Sequence, residues 1–316
     1  MRAGRGPTGP ALRIDDWRRL ADEAAAHGIT SILLRGGEPS LLPGFLPLLE
    51  HLKGLGLYVS IDSNGTRLAE FAADLVRLGG IHLTVSVDGP EPIHDAVRGV
   101  PGSFRRLAQG LARLNELDSG QPRRVSRSIC FTISPWSVAG LGEMPAVARQ
   151  LGVESLCIVP YYYVPAALGE TWERELQATL GVEAFSWKGF HHESSGVDLA
   201  EFAAQHRRYR DTLQGIQDYP YLPLTADEYR RWFADPVTAI GPPECANAER
   251  LIDIQPGGAA NCCVDFPDAV FGNVRNASIE DVWNGDRARR FRERRRQGLL
   301  GACHRCGARH MAAIRD

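Results

Sequence analysis

The stretch Ile29-Thr30-Ser31-Ile32-Leu33-Leu34-Arg35-Gly36-Gly37-Glu38-Pro39 decides how the first half of the chain is read. An apolar run of strand character ends in a polar, glycine-rich turn, and a segment with helical periodicity follows. The same grammar recurs twice. Leu57 to Ile61 leads into Ser63-Asn64-Gly65-Thr66, and Ile81 to Val87 ends in Ser86-Val87-Asp88-Gly89-Pro90. Further strand-like runs lie at Ser128 to Ile133, beginning near Val125, and at Ser155 to Val159. Helical spacing fits Asp16 to His27, Pro43 to Lys53, Arg67 to Leu78, Ser103 to Leu117 and Val138 to Leu151. In the first of these, Trp17, Leu20, Ala21 and Ala24 share one side and Gly28 is the stop. Alternating strands and helices predict a parallel α/β architecture. In that architecture ligands sit at the carboxyl ends of strands, so the three polar strand ends define one face of a pocket.

Composition bounds the alternatives. At 316 residues and 44% hydrophobic content, the chain is long enough for one large core and an appendage. Its net charge of −2 argues against nucleic acid or a membrane surface as the main partner. No apolar run approaches the length of a membrane span. Seven cysteines without a secretory leader read as metal or redox chemistry in a reducing cytoplasm, not as a disulfide framework.

From residue 161 to 244 the alternation breaks down and aromatic residues crowd in: Tyr161, Tyr162, Tyr163, Trp172, Phe185, Trp187, Phe190, Tyr209, Tyr219, Tyr221, Tyr229, Trp232 and Phe233. Because it follows the last strand, this segment is expected to be an insertion covering the substrate, with 186–193 its most polar part. His191 and His192 could bind metal, but neighbouring histidines in a loop read more simply as a solvated turn. The run Arg287, Arg289, Arg290, Arg292, Arg294, Arg295 and Arg296, interrupted by Glu293, reads as a solvated helix face. Cys130 and Cys157 lie inside apolar runs and read as small buried residues.

The carboxyl end carries Cys245, Cys262, Cys303 and Cys306 in a Cys-x16-Cys-x40-Cys-x2-Cys arrangement, with Cys263 adjoining. Four thiolates suit a tetrahedral site, and spacing alone leans to structural zinc over iron and sulfur. Together with the three strand-end motifs, however, this end resembles the radical S-adenosylmethionine (SAM) enzymes that have a SPASM or Twitch extension. The resemblance rests on Gly36-Gly37-Glu38-Pro39, on Cys245, Gly257 and Cys262, on Phe271-Gly272-Asn273-Val274 and Ser278-Ile279-Glu280-Asp281-Val282-Trp283, and on the closing Cys-x2-Cys. It covers nearly the whole chain.

The resemblance implies a partial (β/α)6 TIM-like barrel over 1–160 and an iron–sulfur domain over 245–316. It implies that Gly36, Gly37, Glu38 and Pro39 receive the amino group of S-adenosylmethionine, that Ser63 and Asn64 face it, and that Ser86, Asp88 and Arg98 lie near its ribose or carboxylate. The residues alone leave other readings open: an ordinary Gly-Gly turn, Ser63 and Asn64 as helix caps, and Arg98 paired with Asp95 on the surface. The resemblance also implies one auxiliary 4Fe-4S cluster on Cys245, Cys262, Cys303 and Cys306. Adjacent strand residues point to opposite faces, so only one of Cys262 and Cys263 should be a ligand; Cys262 keeps the Gly-x4-Cys spacing from Gly257.

The family's SAM-binding 4Fe-4S cluster sits on Cys-x3-Cys-x2-Cys after the first strand. This sequence has no such loop, and its first cysteine is Cys130. Five strands read from the sequence plus one missing would make six. The expectation is therefore that residues upstream of Met1 are absent, including the first strand, and that the SAM cluster is present only if they exist. Sequencing upstream of Met1 and the native intact mass would test this.

The implied activity is a radical SAM oxidoreductase. A 5′-deoxyadenosyl radical would abstract a hydrogen atom, the auxiliary cluster would take the second electron, and flavodoxin or ferredoxin would be the electron donor. The substrate would be a small molecule. A peptide-modifying maturase is the alternative, and a non-catalytic metal-binding interaction protein is the competing class.

Overall fold

The structure is a computed structural model that describes residues 10–120, 122, 124–220 and 222–309. The opening tract from Met1 to Pro7 and Tyr221 lie outside the described residues. The chain divides into two compact units: one holds 14–159 and 200–220, the other 10–13, 160–199 and the residues from 222.

The first unit is built on strands β1 (Ser31–Leu34), β2 (Tyr58–Ser63), β3 (Ile81–Ser86), β4 (Val125–Ile133), β5 (Ser155–Pro160) and β6 (Gln217–Asp218), adjacent in that order. The pairs β1–β2, β2–β3, β3–β4 and β5–β6 are parallel. Before β1 comes α1 (Ile14–Ala26), and between the strands run α2 (Phe45–Gly54), α3 (Leu68–Leu78), α4 (Glu91–Arg98), α5 (Ser103–Leu117) and α6 (Met144–Leu151). The alternation read from the sequence is thus observed. Two details differ: the segment 138–151 begins as a 3₁₀ turn, Val138–Glu143, before α6, and α4 was not anticipated. Pro92 masks α4, but a proline in the first turn loses no helical hydrogen bond.

The six-stranded sheet expected of the partial barrel is observed, and its sixth strand is Gln217–Asp218, from the segment read as an insertion.

Parallel strands buried on both faces are usually apolar throughout. Here only one face is. Val59 and Ile61, Leu83 and Val85, and Ile129 and Phe131 are at most 2% exposed, each contributing about 1.5–3 kcal/mol of burial. The alternate positions are polar and in register: Ser60 beside His82 beside Ser126, then Asp62, Thr84 and Ser128, then Ser86 and Cys130. Such a face lines a polar interior, not a core.

The second unit contains α7 (Ala166–Leu180), whose neighbour in sequence α8 (Leu199–Asp211) runs into the first unit, then α9 (Ala226–Ala234) and α10 (Ala246–Arg250). The antiparallel strands β7 (Asp253–Ile254), β8 (Ala259–Asn261) and β9 (Gly272–Asn273), with α11 (Ile279–Asn284) and α12 (Asp286–Arg296), complete it. The aromatic residues of 161–244 are largely its core: Tyr163, Trp172, Trp187, Tyr229, Trp232 and Phe233 are all buried. The compact units cut across the expected segment 161–244. Residues 160–199 and 222–244 belong with the cysteine-bearing end, while 200–220 completes the sheet unit. Asp268 illustrates how the segment is anchored: its carboxylate accepts from Trp172 Nε1 at 2.9 Å and from the Phe185 and Ser186 amides at 3.1 Å.

Candidate functional site

The end of β1 is built around the Glu38 carboxylate. It accepts from Ser63 Oγ at 2.9 Å, the Asn64 amide at 2.8 Å and Ser40 Oγ at 2.7 Å. The first two strand-end motifs are thereby tied together across parallel neighbours. Gly36 has φ +132°, and a Cβ added at Gly36 or Gly37 would meet no protein atom within 4 Å. The glycines leave backbone bare and approachable at the strand end, which fits a small ligand with a polar head. The Asn64 side chain is turned away, accepting from the Thr66 amide at 2.8 Å as a turn former, and Ser63 Oγ also accepts from the Gly65 amide. Ser63 therefore both forms the turn and braces Glu38.

At the third strand end, Arg98 Nε donates to Asp88 Oδ2 at 2.6 Å. The surface pair of Arg98 with Asp95 is not formed. Asp95 instead accepts from the Gly102 and Phe104 amides and Ser103 Oγ, holding the start of α5, and these bonds lower its pKa to about 2. His94, 2% exposed, accepts from the Asp88 amide through Nδ1 at 3.2 Å, so its ring is neutral with the proton on Nε2. Burial lowers its pKa, and Arg98 lowers it further against the pull of Asp88 and Asp95. Ser86 is half-buried on the polar face of β3.

The polar face adds groups that sequence reasoning passed over. His82 bridges Ser126 Oγ at 2.8 Å and Ser128 Oγ at 2.9 Å. Tyr219, just past β6, stands beside Ser128, Cys130, Cys157 and Asp62, and burial raises its pKa. Cys157 is buried as expected, whereas Cys130 is partly exposed on this face. The signal was available: polar residues at every second position of 60–62, 82–86 and 126–130.

In the second unit, Cys245, Cys262, Cys263, Cys303 and Cys306 line one cavity with Trp172, Phe266, Phe291, Arg295 and Arg309. The Cys303 turn is clamped. Gly301 lies so close to α7 that a Cβ would come within 2.2 Å of the Leu168 carbonyl oxygen, and its amide donates to Glu175 at 2.8 Å. Between the last two cysteines, Arg305 is fully buried, stacked between Tyr163 and Trp232 at 4.2 and 4.1 Å. It also donates to the Trp232 and Asp235 carbonyls, which fixes the Cys-x2-Cys turn to α9. Burial lowers its pKa to about 10.

Burial raises the thiol pKa values of Cys303, Cys306 and Cys245, that of Cys245 to about 11. Cys262 and Cys263 both line the cavity, their sulfurs 4.0 Å apart, and it is Cys263 that acts electrostatically on Cys245, Cys303 and Cys306. The glycine that turns β7 into β8 is Gly258, at φ +88°, and Gly-x4-Cys counted from Gly258 reaches Cys263.

Among the described residues, no group of three or more His, Cys, Asp or Glu converges closely enough to hold a single metal ion. The thiols ring a cavity, which fits a multinuclear cluster better than one zinc ion. Two guanidinium groups in the wall, Arg295 at 7% and Arg309 at 1% exposure, suit an anionic guest. His191 lies outside this site, pairing with Glu193 at 3.0 Å. Also among the described residues, no helix is long and apolar enough to cross a membrane.

The family described as Radical SAM superfamily matches residues 2–131, and that described as Iron-sulfur cluster-binding domain, SPASM, matches 245–307. An AdoMet-dependent heme synthase of Methanosarcina barkeri is 24% identical over 319 residues, covering 96% of this chain and 85% of the relative. A PqqA peptide cyclase of Xanthomonas campestris is 24% identical over 282 residues, covering 87% of this chain and 66% of the cyclase. The crystal structure of Streptococcus suis SuiB bound to S-adenosylmethionine shares the fold at TM-score 0.62 and 15% identity, over 97% of this chain and 67% of SuiB.

Proposed function

We infer the chemistry of this protein from one premise: the chain belongs to the radical SAM superfamily and carries a SPASM iron–sulfur domain. On that premise we propose an oxidoreductase that removes a hydrogen atom and then an electron from a small-molecule substrate. S-adenosylmethionine on a reduced cluster would supply the hydrogen-atom abstraction, and the auxiliary cluster would supply an electron acceptor. The SAM cluster needs three cysteines that this sequence does not contain.

The residues of this chain do the rest. Gly36 and Gly37 offer bare backbone to the methionine end of the cofactor, and Glu38, fixed by Ser63, Asn64 and Ser40, presents its carboxylate to the amino group. Arg98 and Ser86 would hold the carboxylate or ribose, with Asp88 orienting Arg98 and His94 accepting from the Asp88 amide. The polar face from Asp62 to Cys130, with Tyr219, offers hydrogen-bonding groups to a polar substrate. Cys245, Cys263, Cys303 and Cys306 would ligate the auxiliary cluster, and since all its irons are then bound by protein, it serves electron transfer and not substrate binding.

The observation that carries the proposal is the thiol-lined cavity with two buried arginines in its wall. The heme synthase relative, matched along almost the whole chain, favours a small molecule. The peptide-modifying alternative draws on the cyclase, and tight binding of a leader peptide would favour it. In active protein, Cys303→Ala and Cys306→Ala should abolish product while leaving cleavage of S-adenosylmethionine. Undiminished product would refute the oxidative role of the cluster.

A further inference from the structure

Two N–H groups in the wall of the thiol cavity have no protein partner: Nε of Arg295 and Nη1 of Arg309, both buried. A buried guanidinium N–H without an acceptor is costly, so native proteins rarely keep one unless something absent from the protein accepts it. The remaining nitrogens are committed. Arg295 donates through Nη1 to the Gly298 carbonyl at 2.6 Å and through Nη2 to the Pro243 carbonyl at 3.2 Å. Arg309 donates through Nε to the carbonyl of Cys306 at 3.1 Å and through Nη2 to that of Ile240 at 2.6 Å. Each guanidinium is therefore locked by backbone with one edge spare.

The spare edges belong to groups that face sulfur. Cys303, Cys245 and Cys263 act electrostatically on Arg295, whose guanidinium also lies within hydrogen-bonding reach of the Cys245 thiol, and Cys306, Cys303 and Cys245 act on Arg309. Arg305, equally buried two residues from Cys303, also keeps an unpartnered Nε but provides the contrast in place: its charged neighbours are Tyr163, Asp235 and Arg309, and it does not line the cavity.

We propose that Arg295 and Arg309 set the reduction potential of the auxiliary cluster, each donating a hydrogen bond from its spare N–H to a cluster or cysteinyl sulfur and placing a fixed positive charge beside it. This rests on the reading of the cavity as a cluster site. A cluster gains negative charge on reduction, so fixed cations and N–H···S bonds stabilise the reduced form and raise the potential. A higher potential suits a cluster that accepts an electron from a substrate radical. The two arginines are positioning residues, since they act through the cluster.

The test is an EPR-monitored redox titration of the full chain after anaerobic iron–sulfide reconstitution. Arg295→Met and Arg309→Met should each shift the auxiliary-cluster potential downward with iron content kept, the double variant should shift it further, and Arg295→Lys should shift it less than Arg295→Met. Arg305→Met should lower the melting temperature with the smallest shift in potential. A purely structural role for Arg295 and Arg309 predicts lost stability at unchanged potential, and that result overturns the proposal. Should the Met variants not fold, wild-type protein labelled with ¹⁵N-arginine decides: pulsed EPR of the reduced cluster should show exchangeable protons and weak ¹⁵N coupling, and their absence overturns the proposal. Wild-type chain that takes up no iron–sulfur cluster overturns the cluster reading itself, whereas a loaded cluster indifferent to both arginines overturns only this inference.

Discussion

The strand ends of the sheet unit and the thiol cavity of the cysteine-bearing unit satisfy their polar groups in opposite ways. At the strand ends the groups are paired with one another: Glu38 with Ser63, Asn64 and Ser40, and Asp88 with Arg98. In the cavity the thiols are pushed toward their neutral forms by burial, and Arg295 and Arg309 each keep a spare donor. A self-paired site keeps its shape by its own hydrogen bonds. A site with uncompensated buried groups draws its stability from what it binds, as metal sites coupled to folding do.

The largest effect that could break this comparison is loss of a ligand. Cys263→Ala should lose most of the auxiliary iron and the protection of 245–309 from hydrogen exchange, while Cys262→Ala keeps both. Iron analysis with exchange mass spectrometry measures the two together. Retained iron in Cys263→Ala would return the ligand role to Cys262, and lost protection in 58–133 would contradict a self-sufficient strand-end site.

A smaller effect sharpens the other side. Glu38→Gln keeps the shape of the side chain but removes the negative charge opposite a cofactor ammonium, and an unbalanced amide must sit among three donors. Binding of S-adenosylmethionine should weaken by roughly ten- to a hundredfold, the worth of a charged hydrogen bond, with the melting temperature nearly unchanged. Equilibrium dialysis against the labelled cofactor reads this directly. Undiminished binding would remove Glu38 from the site.

The two regions also differ in how much of them the sequence carries. The strand ends are local: apolar run, polar turn and helix follow one another within a few residues, so Gly36 to Pro39, Ser63 and Asp88 could be placed without knowing the fold. The partner of Arg98 was less accessible, because Asp95 is nearer along the helix but is taken up by the start of α5. Gln217 and Asp218 form a strand too short and polar to carry a pattern, and so Tyr219 went unplaced beside the sheet. In α12 the seven arginines hid a legible stripe. Ala288, Phe291, Arg292 and Arg295 fall at i, i+3, i+4 and i+7 and are the buried side, so Arg295 was readable as inward-facing before any coordinates. The proposed choice of Cys263 over Cys262 rests on which glycine of a Gly-Gly pair takes a positive φ, a property of the hairpin and not of composition.

The smallest expected effect concerns pH at the strand ends alone. The Phe104 amide, then those of Gly102 and the Ser103 hydroxyl, stabilise the Asp95 carboxylate and bring its pKa from 3.8 to about 2. Because the folded value is the lower one, the unfolded chain binds the proton more readily. The stabilisation is therefore complete above pH 3.8 and is lost as pH falls toward 2. Asp95→Asn should lower stability modestly at neutral pH and flatten the acid limb between those values, with the two proteins converging at the acid end. Urea melts of both across that range would show it, and parallel acid limbs would mean that the loop before α5 holds without the Asp95 charge.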